Sequence, residues 1–539
     1  MKNTNHIPKD GIQGLKENFS GDALSGFLVF LLALPLSIGI AKASDFPAIM
    51  GLMTAMIGGI VVSIFAGSPL TIKGPAAGLI VIIAGSVAEL GGGDSVLGWH
   101  LALGAILIAG LIQIVFGLAK MGSLIDFFPL SAVHGMLAAI GIIIMSKQLH
   151  VLVGINPMNH LGKPMVEPLE LISELPHTFG IGWDKLRRTY TFVNINQSAT
   201  IVGIISLLIV FLWPKVKHAT LKKIPAPVLV LAVAIPLAQK LGLDQKKFIH
   251  FDKGFVDSLA LNVSFDGIHQ MGTFIKYVLM FALVGSLESL LTVKAIDMLD
   301  PFKRKSNANK DLIAVGIGNS LSAMLGGLPM ISEVARSSAN VNNGAKTRWA
   351  NFFHGVFILI FLCFTLQFSD LIPNAALAAM LIGVGYKLAN PKEFAHMLHI
   401  GWEQFVIFCA TILATLATDL LVGIGFGILV KIIIENINGV PVGSIFKADF
   451  SVEGNTMTIR KAAVFSNWLG IQSALRKIEL NSHFTVDVSQ CKVVDHTVME
   501  NLHNLERDFT NNGGSLTVTG ADNMVMSSKH HHPLSARKR

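Results

Sequence analysis

The sequence predicts an all-helical protein that crosses the membrane about fourteen times and ends in a small α/β domain. Two observations support this fold class. Only 14% of the 539 residues are charged, and apolar runs of about twenty residues, the length that spans a bilayer, recur from Asp22 to near Asn436. A soluble domain carries about 25% charged residues, so a water-soluble protein of this length is excluded. The hydrophobic content of 52% also excludes intrinsic disorder.

Charge and cysteine content exclude two further classes. The net charge of +8 comes from basic residues scattered over separate short loops, as in the cytoplasmic loops of membrane proteins. A nucleic-acid partner is therefore not predicted. The three cysteines, Cys363, Cys409 and Cys491, fit no metal-binding or redox spacing and are too few for a disulfide scaffold. We interpret them as small buried hydrophobic residues.

The apolar segments divide the chain into four regions: a cytoplasmic N-terminus (1–21), a transmembrane domain (22–445), a soluble domain (446–526) and a basic, disordered tail (527–539). In the soluble domain, alternating strands flank a helical stretch, which predicts a βαβ arrangement. The predicted spans are 22–41, 46–66, 75–90, 99–118, 127–149, 197–214, 225–241, 274–298, 309–325, 332–342, 347–368, 371–388, 403–418 and 419–437.

Two of these spans, 75–90 and 332–342, are too short to cross a bilayer alone, and each follows a Gly- and Pro-containing extended stretch. Gly67, Pro69 and Ile72 align with Gly327, Pro329 and Ser332, 260 positions later. The shared order predicts a seven-plus-seven repeat, and an odd number of spans per repeat makes the second copy inverted. Short, interrupted segments at matching places in two halves indicate a transporter binding site.

Loop charge predicts the orientation. The loops after spans six, eight and ten are basic and would face the cytoplasm under the positive-inside rule. Both termini are then cytoplasmic. The loop that contains Lys240, Lys246, Lys247 and Lys253 opposes this assignment, but it is longer and also acidic.

The N-terminus of each short helix presents unpaired N–H groups and the positive end of the helix dipole. Two such ends that face each other at mid-depth form an anion site. The first short helix supplies Gly74, Ala76 and Ala77, whose small size lets an ion approach the backbone. The second supplies Val334, Ala335 and Arg336.

Several motifs in this order resemble the sulfate permease (SulP) family. They are Ser68-Pro69 with Gly74-Pro75, then Glu288-Ser289-Leu290-Leu291, then Gly326-Gly327-Leu328-Pro329 with Ala335-Arg336-Ser337. The soluble end resembles the STAS domain of that family at Val486-Asp487-Val488-Ser489 and Val494-Asp495-His496-Thr497. The resemblance implies a uracil-permease-like inverted repeat with core and gate domains, a homodimer, and transport of small anions such as sulfate, bicarbonate, chloride or dicarboxylates.

Glu288 lies inside an apolar span, where a carboxylate is costly and marks a functional site. Thr292, four residues later, shares its helical face. In family members with an acidic residue at this position, that residue is tied to cation coupling, by H⁺ or by Na⁺, and the sequence does not distinguish the two ions. A structural salt bridge is the alternative. Arg336 either attracts the anion or pairs with a gate-side carboxylate.

Lys73 and Glu333 depart from the family pattern and are equivalent under the 260-residue offset. One hypothesis pairs them across the pseudo-symmetry axis, because an unpaired buried charge is costly; the other lets Lys73 contact the anion. Ser332 and Glu333 join Glu288 and Thr292 as candidate cation-coupling residues. In the first span, Pro35 is predicted to break the helix near mid-depth and free a carbonyl, and Ser37 to offer its hydroxyl to the substrate; a simple proline kink is the alternative.

The STAS-like domain lacks the Asp-Ser of phosphorylated relatives, because His496 follows Asp495. Asp495 or Thr497 is instead predicted to cap the next helix. In the tail, His530-His531-His532 is either a metal ligand set or part of a disordered segment, and the second interpretation is favoured.

The function predicted from the sequence is secondary active transport of sulfate or bicarbonate by alternating access, as H⁺ or Na⁺ symport across the cell membrane. No resident cofactor is expected, and no P-loop or nucleophile–base pair suggests an enzyme. The alternatives are an anion exchanger or chloride-type channel, and a nucleobase or dicarboxylate permease on the same fold.

Overall fold

The computed structural model describes residues 7–123, 128–155, 168–173, 175, 182–184, 189–191, 195–218, 224–249, 251, 263–364, 371–521, 525–526 and 536–537. These residues are mostly helical. The chain divides into two compact units, residues 1–122 with 140–388 and residues 123–139 with 389–539.

Each predicted span contains a helix, so the predicted fold class is confirmed. The helices of the first repeat are α1 (Gly11–Ala43), α2 (Ala48–Phe65), α3 (Ala77–Gly91), α4 (Ser95–Leu118), α5 (Leu130–Leu152), α6 (Gln197–Leu212) and α7 (Ala226–Lys240). Those of the second are α8 (Met271–Leu299), α9 (Ala308–Met324), α10 (Val334–Asn342), α11 (Trp349–Phe364), α12 (Asn374–Leu388), α14 (Trp402–Ala417) and α15 (Leu420–Ile437). Within the described residues, seven helices are long and apolar enough to cross a membrane by length and composition.

Within the described residues that precede the C-terminal sheet, three α-helices lie between or after the predicted spans: two short ones, Pro168–Ser173 and Val442–Phe446, and one of ten residues. Helix α13 (Pro391–Ile400) lies between the twelfth and thirteenth spans. Asn390 caps it by accepting a hydrogen bond from Lys392 N at 3.0 Å, and Pro391 occupies its first turn. Sequence inspection missed it because its ten residues are amphipathic rather than uniformly apolar.

Helix α1 corrects two predictions. It begins at Gly11 rather than Asp22, since Asp10 accepts a hydrogen bond from Gly11 N at 2.9 Å and Trp349 Nε1 donates to Gly11 O at 2.8 Å. It also runs through Pro35 without a break. Packing of neighbouring helices makes an internal proline tolerable in a membrane protein, and here the backbone of Gly51 on α2 lies against the Ser37 carbonyl.

Two short strands connect the repeats. Strand β1 (Lys73–Pro75) precedes α3, strand β2 (Met330–Ser332) precedes α10, and the two pair antiparallel with Lys73 opposite Ser332. Beyond the strands, Glu333 N donates to Ile72 O at 2.9 Å. Replacing each residue by its equivalent 260 positions away converts the pair Lys73–Ser332 into the pair Glu333–Ile72. Two repeats related by a two-fold axis require this exchange. The inverted repeat is therefore present in the strand register.

The C-terminal domain has the predicted βαβ arrangement. Strands β3 (Asp449–Glu453), β4 (Thr456–Ala463), β5 (His483–Val494) and β6 (Ser515–Thr519) form one sheet, in which β4, β5 and β6 are parallel. Helix α16 (Trp468–Leu475) follows β4, and helix α17 (His496–Asn511) follows β5. Asp495 Oδ1 accepts a hydrogen bond from Val498 N at 2.8 Å, which confirms the predicted helix cap.

Two expectations about buried cysteines and the tail need correction. Cys491 is buried, but Cys363 is exposed and Cys409 is intermediate. Apolar surroundings do not predict burial in a membrane helix, which is apolar on its outward face as well.

Within the tail, Ala536–Arg537 forms a short strand against Val493 and Val494 of β5 and against Val525–Met526, because that edge of β5 offers free backbone groups. His530, His531 and His532 lie outside the described residues.

Candidate functional site

The N-termini of the two short helices meet at the β1–β2 ribbon. Ala76 N donates to Pro329 O at 3.4 Å, so the entry to α3 is held against the entry to α10. Val334 and Ala335, at the start of α10, are exposed, with Val334 at 51%. Gly74, Ala76 and Ala77 are buried. The small residues at the entry to α3 are thus enclosed, and the exposed backbone of the pair lies at the start of α10.

Two carboxylates converge on the first turn of α3. Glu333 Oε1 accepts a hydrogen bond from Ala77 N at 3.4 Å. The carboxylate of Glu288, from α8, lies so close to Gly78 that a methyl group there would overlap it. Glu288 Oε1 has no hydrogen-bond partner among the described residues. The structure therefore brings Glu288 and Glu333 together at a helix N-terminus.

Arg336 is the buried cation of the site. Its side chain is fully buried, and none of its three guanidinium nitrogens has a hydrogen-bond partner within the described residues. It lies against Gly74, where an added Cβ would stand 2.5 Å from Nη1. Buried donors of this kind are costly when unsatisfied. No described residue thus compensates the guanidinium by a hydrogen bond.

One hypothesis predicted that Lys73 pairs with Glu333, and the structure shows a different partner for Lys73. Its ammonium group lies 2.8 Å from Asp311 Oδ1 and 3.0 Å from Oδ2, and this ion pair is at most 1% exposed. The strand register explains the difference. Residues directly opposite in a ribbon share a face, and neighbours along a strand point to opposite faces. Lys73 therefore shares the face of Ser332, while Glu333 points to the other side.

Asp311 is a hub that sequence inspection missed. It accepts hydrogen bonds from Gly67 N (3.1 Å), Ser68 N (3.2 Å) and Ser332 Oγ (3.1 Å), besides the ion pair with Lys73. It thus binds the loop before β1 and both strands of the ribbon. A single acidic residue at the start of an apolar helix could have indicated this role. It was not recognised because charged loop residues precede it directly in the sequence.

Ser332 links the hub to the helix that carries Glu288. Ser289 Oγ donates to Ser332 Oγ at 3.1 Å and accepts from Ser332 N at 3.1 Å. Ser289 directly follows Glu288, and Ser332 directly precedes Glu333. The two carboxylates are therefore fixed by adjacent residues of one buried network.

The remaining predicted residues are buried without a described role in this network. Ser37 is fully buried, and its hydroxyl has no partner among the described residues. Thr292 is 1% exposed. A second residue missed from the sequence is His354 on α11, which is fully buried, lacks ring partners within the described chain and lies within electrostatic reach of Arg336.

Comparison with known proteins agrees with this architecture. Residues 19–411 match the model of the sulfate permease family. The chain is 28% identical to the "Putative sulfate transporter YvdB" of Bacillus subtilis, over 77% of this chain and 73% of the relative. It is 25% identical to the "Bicarbonate transporter BicA" of Synechocystis, over 77% and 69%.

Two solved structures share the fold. The transmembrane domain of a cyanobacterial BicA superposes with a TM-score of 0.65 at 24% identity, covering 76% of this chain and 98% of that one. The overall structure of SLC26A9 superposes with a TM-score of 0.66 at 14% identity, covering 96% and 86%. With the family match extending over most of the transmembrane helices, the chain belongs to the sulfate permease family.

Proposed function

We propose that this protein is a secondary active transporter of a small inorganic anion, sulfate or bicarbonate. The observation that carries the proposal is the buried Arg336, whose guanidinium has no partner among the described residues and which lies beside the meeting N-termini of the two short helices. Unpaired N–H groups and the helix dipole favour an anion there by about 0.3–2 kcal/mol per helix end, and the guanidinium adds charge-assisted hydrogen bonds. The names of the relatives support sulfate and bicarbonate as substrates.

Transport is coupled to a cation that neutralises Glu288 and Glu333. Both carboxylates face the helix end where the anion docks. An ionised pair repels an incoming anion, since like charges interact strongly in a medium of low dielectric constant. Binding of H⁺ or Na⁺ removes this repulsion, so anion and cation bind together. Thr292, on the helix that carries Glu288, provides a hydroxyl group, whereas the Ser332 hydroxyl is already bonded to Asp311 and Ser289.

Glu333 gives this coupling a direct form. Its carboxylate already occupies the Ala77 N–H group that an anion would use. Neutralising Glu333 weakens its hydrogen bond to that donor, so cation binding both lowers the repulsion and makes the docking group more available. Arg336, three residues later, stays positively charged throughout. The arrangement favours symport over simple exchange or channel conduction, and the arginine favours an anion over a nucleobase.

We propose further that the transporter lies in the cell membrane as a homodimer, with both termini in the cytoplasm. The basic loops after spans six, eight and ten support this orientation. Accessibility of single cysteines in the loop 301–307 to a membrane-impermeant thiol reagent tests it. Labelling of intact cells at this loop would reverse the assignment, and cross-linking in native membranes tests the dimer.

The central experiment measures uptake of radiolabelled sulfate and of radiolabelled bicarbonate into proteoliposomes. Each is tested with an imposed Na⁺ gradient, an imposed H⁺ gradient, or neither. We expect one cation to drive accumulation of one anion. Glu288→Gln and Glu333→Gln abolish accumulation, whereas Glu89→Gln, which alters an exposed carboxylate on α3, retains it. No uptake of either anion by the wild-type protein refutes the proposed function, and accumulation by Glu288→Gln refutes the coupling.

A further inference from the structure

The end of the last membrane helix, α15, is joined to the start of α17 in the C-terminal domain by buried charges. Lys431 Nζ lies 3.4 Å from Asp495 Oδ2 and 3.3 Å from Glu435 Oε1, and all three side chains are at most 3% exposed. Asp495 also accepts a hydrogen bond from Phe465 N at 2.8 Å, besides capping α17. One carboxylate therefore connects a membrane helix, the cap of α17 and the turn that follows β4.

Next to Asp495, a cavity of about 380 Å³ opens between α5, α13 and α17. Three imidazoles and two carboxylates line it: His134, Glu393, His396, His496 and Glu500. His134 Nδ1 lies 3.6 Å from Glu393 Oε2, and His496 Nε2 lies 3.5 Å from Glu500 Oε2. The imidazole of His496 is 5% exposed, and its Nδ1 has no hydrogen-bond partner among the described residues.

We propose that this cavity is a regulatory proton-binding site, and that protonation of His496 releases α17 from the membrane helices beside it. The site is distinct from the anion site and concerns control of the transporter. Its ligand is the proton, because the cavity combines the side chains that titrate nearest neutral pH with carboxylates able to stabilise them. The inference rests on the proposed function only for its transport measurement.

The charges that face His496 determine which of its protonation states is favoured while α17 is packed against the membrane helices. They come from α17 (Asp495, Glu500), α15 (Lys431, Glu435), α5 (His134) and α13 (Glu393, His396). Burial lowers the pKa of His496 below its ordinary value, Glu500 and Asp495 oppose this shift, and Lys431 and His134 add to it. The neutral ring therefore belongs to the closed state, in which α17 is packed against the membrane helices.

Acidification separates α17 from these membrane helices. A proton on His496 creates a buried cation close to Lys431, which is costly until water reaches the ring. A proton on His134 adds like charge on the opposite wall of the cavity. The protonated His496, 5% exposed while α17 is packed in place, is hydrated only when α17 moves away, so proton binding and opening are linked.

Distance measurements on the full chain in lipid nanodiscs test this linkage without substrate. Spin labels replace the exposed Leu398 on α13 and Arg507 on α17, after the native cysteines are substituted. Distances are compared near pH 7.5 and pH 5.5, about one unit on either side of the ordinary imidazole pKa. We expect the distance to lengthen at the lower pH. His496→Gln should lose this response, and His503→Gln, a more exposed imidazole on the same helix, should keep it.

Either of two results overturns the proposal: a pH-independent distance in the wild-type protein, or a full response in His496→Gln. Should His496→Gln fail to assemble, Glu500→Gln replaces it. Removing the carboxylate that favours the imidazolium should move the transition to lower pH by about one unit, and an unmoved transition overturns the proposal.

A second measurement follows anion uptake as the pH on the side of the C-terminal domain is varied. We expect a change of rate through the same pH range, lost in His496→Gln and kept in His503→Gln. A distance response without uptake in any variant refutes the proposed function alone. Uptake without a distance response refutes the regulatory site alone.

Discussion

Replacing Lys73 by methionine is expected to destabilise the protein by about 3 kcal/mol, because it leaves the Asp311 carboxylate charged and buried without its cation. The value lies at the low end for a broken buried pair because Asp311 keeps three hydrogen bonds, from Gly67 N, Ser68 N and Ser332 Oγ. Asp311→Asn should cost more, about 5 kcal/mol, since it leaves an ammonium group that is fully buried.

The double variant Lys73→Met/Asp311→Asn should be far more stable than the sum of the two single changes suggests. It removes both charges together, and the amide oxygen of Asn still accepts a hydrogen bond from the loop before β1. We expect an interaction energy of about 3 kcal/mol or more between the two positions. Unfolding free energies in mixed SDS and detergent micelles provide the four values of the cycle.

A matched cycle on Lys73 and Glu333 serves as the control. Those side chains point to opposite faces of the ribbon, so their interaction energy should stay below about 0.5 kcal/mol. Additive effects of Lys73→Met and Asp311→Asn, or a larger coupling to Glu333 than to Asp311, would contradict the register argument and restore the pairing expected from pseudo-symmetry.

Three further predictions concern the site and the C-terminal domain. Gly78→Ala should reduce cation-driven uptake at least about tenfold, because its methyl group displaces the Glu288 carboxylate, whereas Gly425→Ala, in open space, should not. Arg336→Gln should raise the KM for the anion at least about tenfold through loss of charged hydrogen bonds, and an unchanged KM refutes an anion-binding role. Burial lowers the pKa of His496 in the folded domain below the ordinary value of 6.5. As the pH falls below that value, the unfolded domain therefore binds more protons than the folded domain. Its thermal stability should then fall with acidification, and less so in His496→Gln, as measured by Tm at several pH values.

Part of the site was predictable because it depends on local sequence. The two short helices follow from segments too short to cross a bilayer, and their glycines and prolines mark the extended entries. Glu288, Glu333 and Arg336 stand out because charged residues are rare in apolar surroundings. The continuity of α1 through Pro35 was not predictable, because it depends on packing against α2 that no local pattern reveals.

The partner of Lys73 shows where prediction from the sequence stopped. Pseudo-symmetry correctly related Lys73 to Glu333, but symmetry-equivalent residues need not touch. Their side chains diverge because a one-residue step along a strand reverses the face. Asp311, distant in sequence, reaches Lys73 only through the packing of α9 against the ribbon.

The sequence by itself determined the membrane class, the order of the spans, the inverted repeat and the few charged residues that lie among the spans. These follow from hydrophobicity, helix length and the rarity of buried charge, which are properties of short segments. Only the tertiary structure decided which charges pair, which remain unpaired, and that Glu288 and Glu333 share one helix end. Such contacts join segments hundreds of residues apart, and their geometry is set by strand register and helix packing rather than by any local pattern.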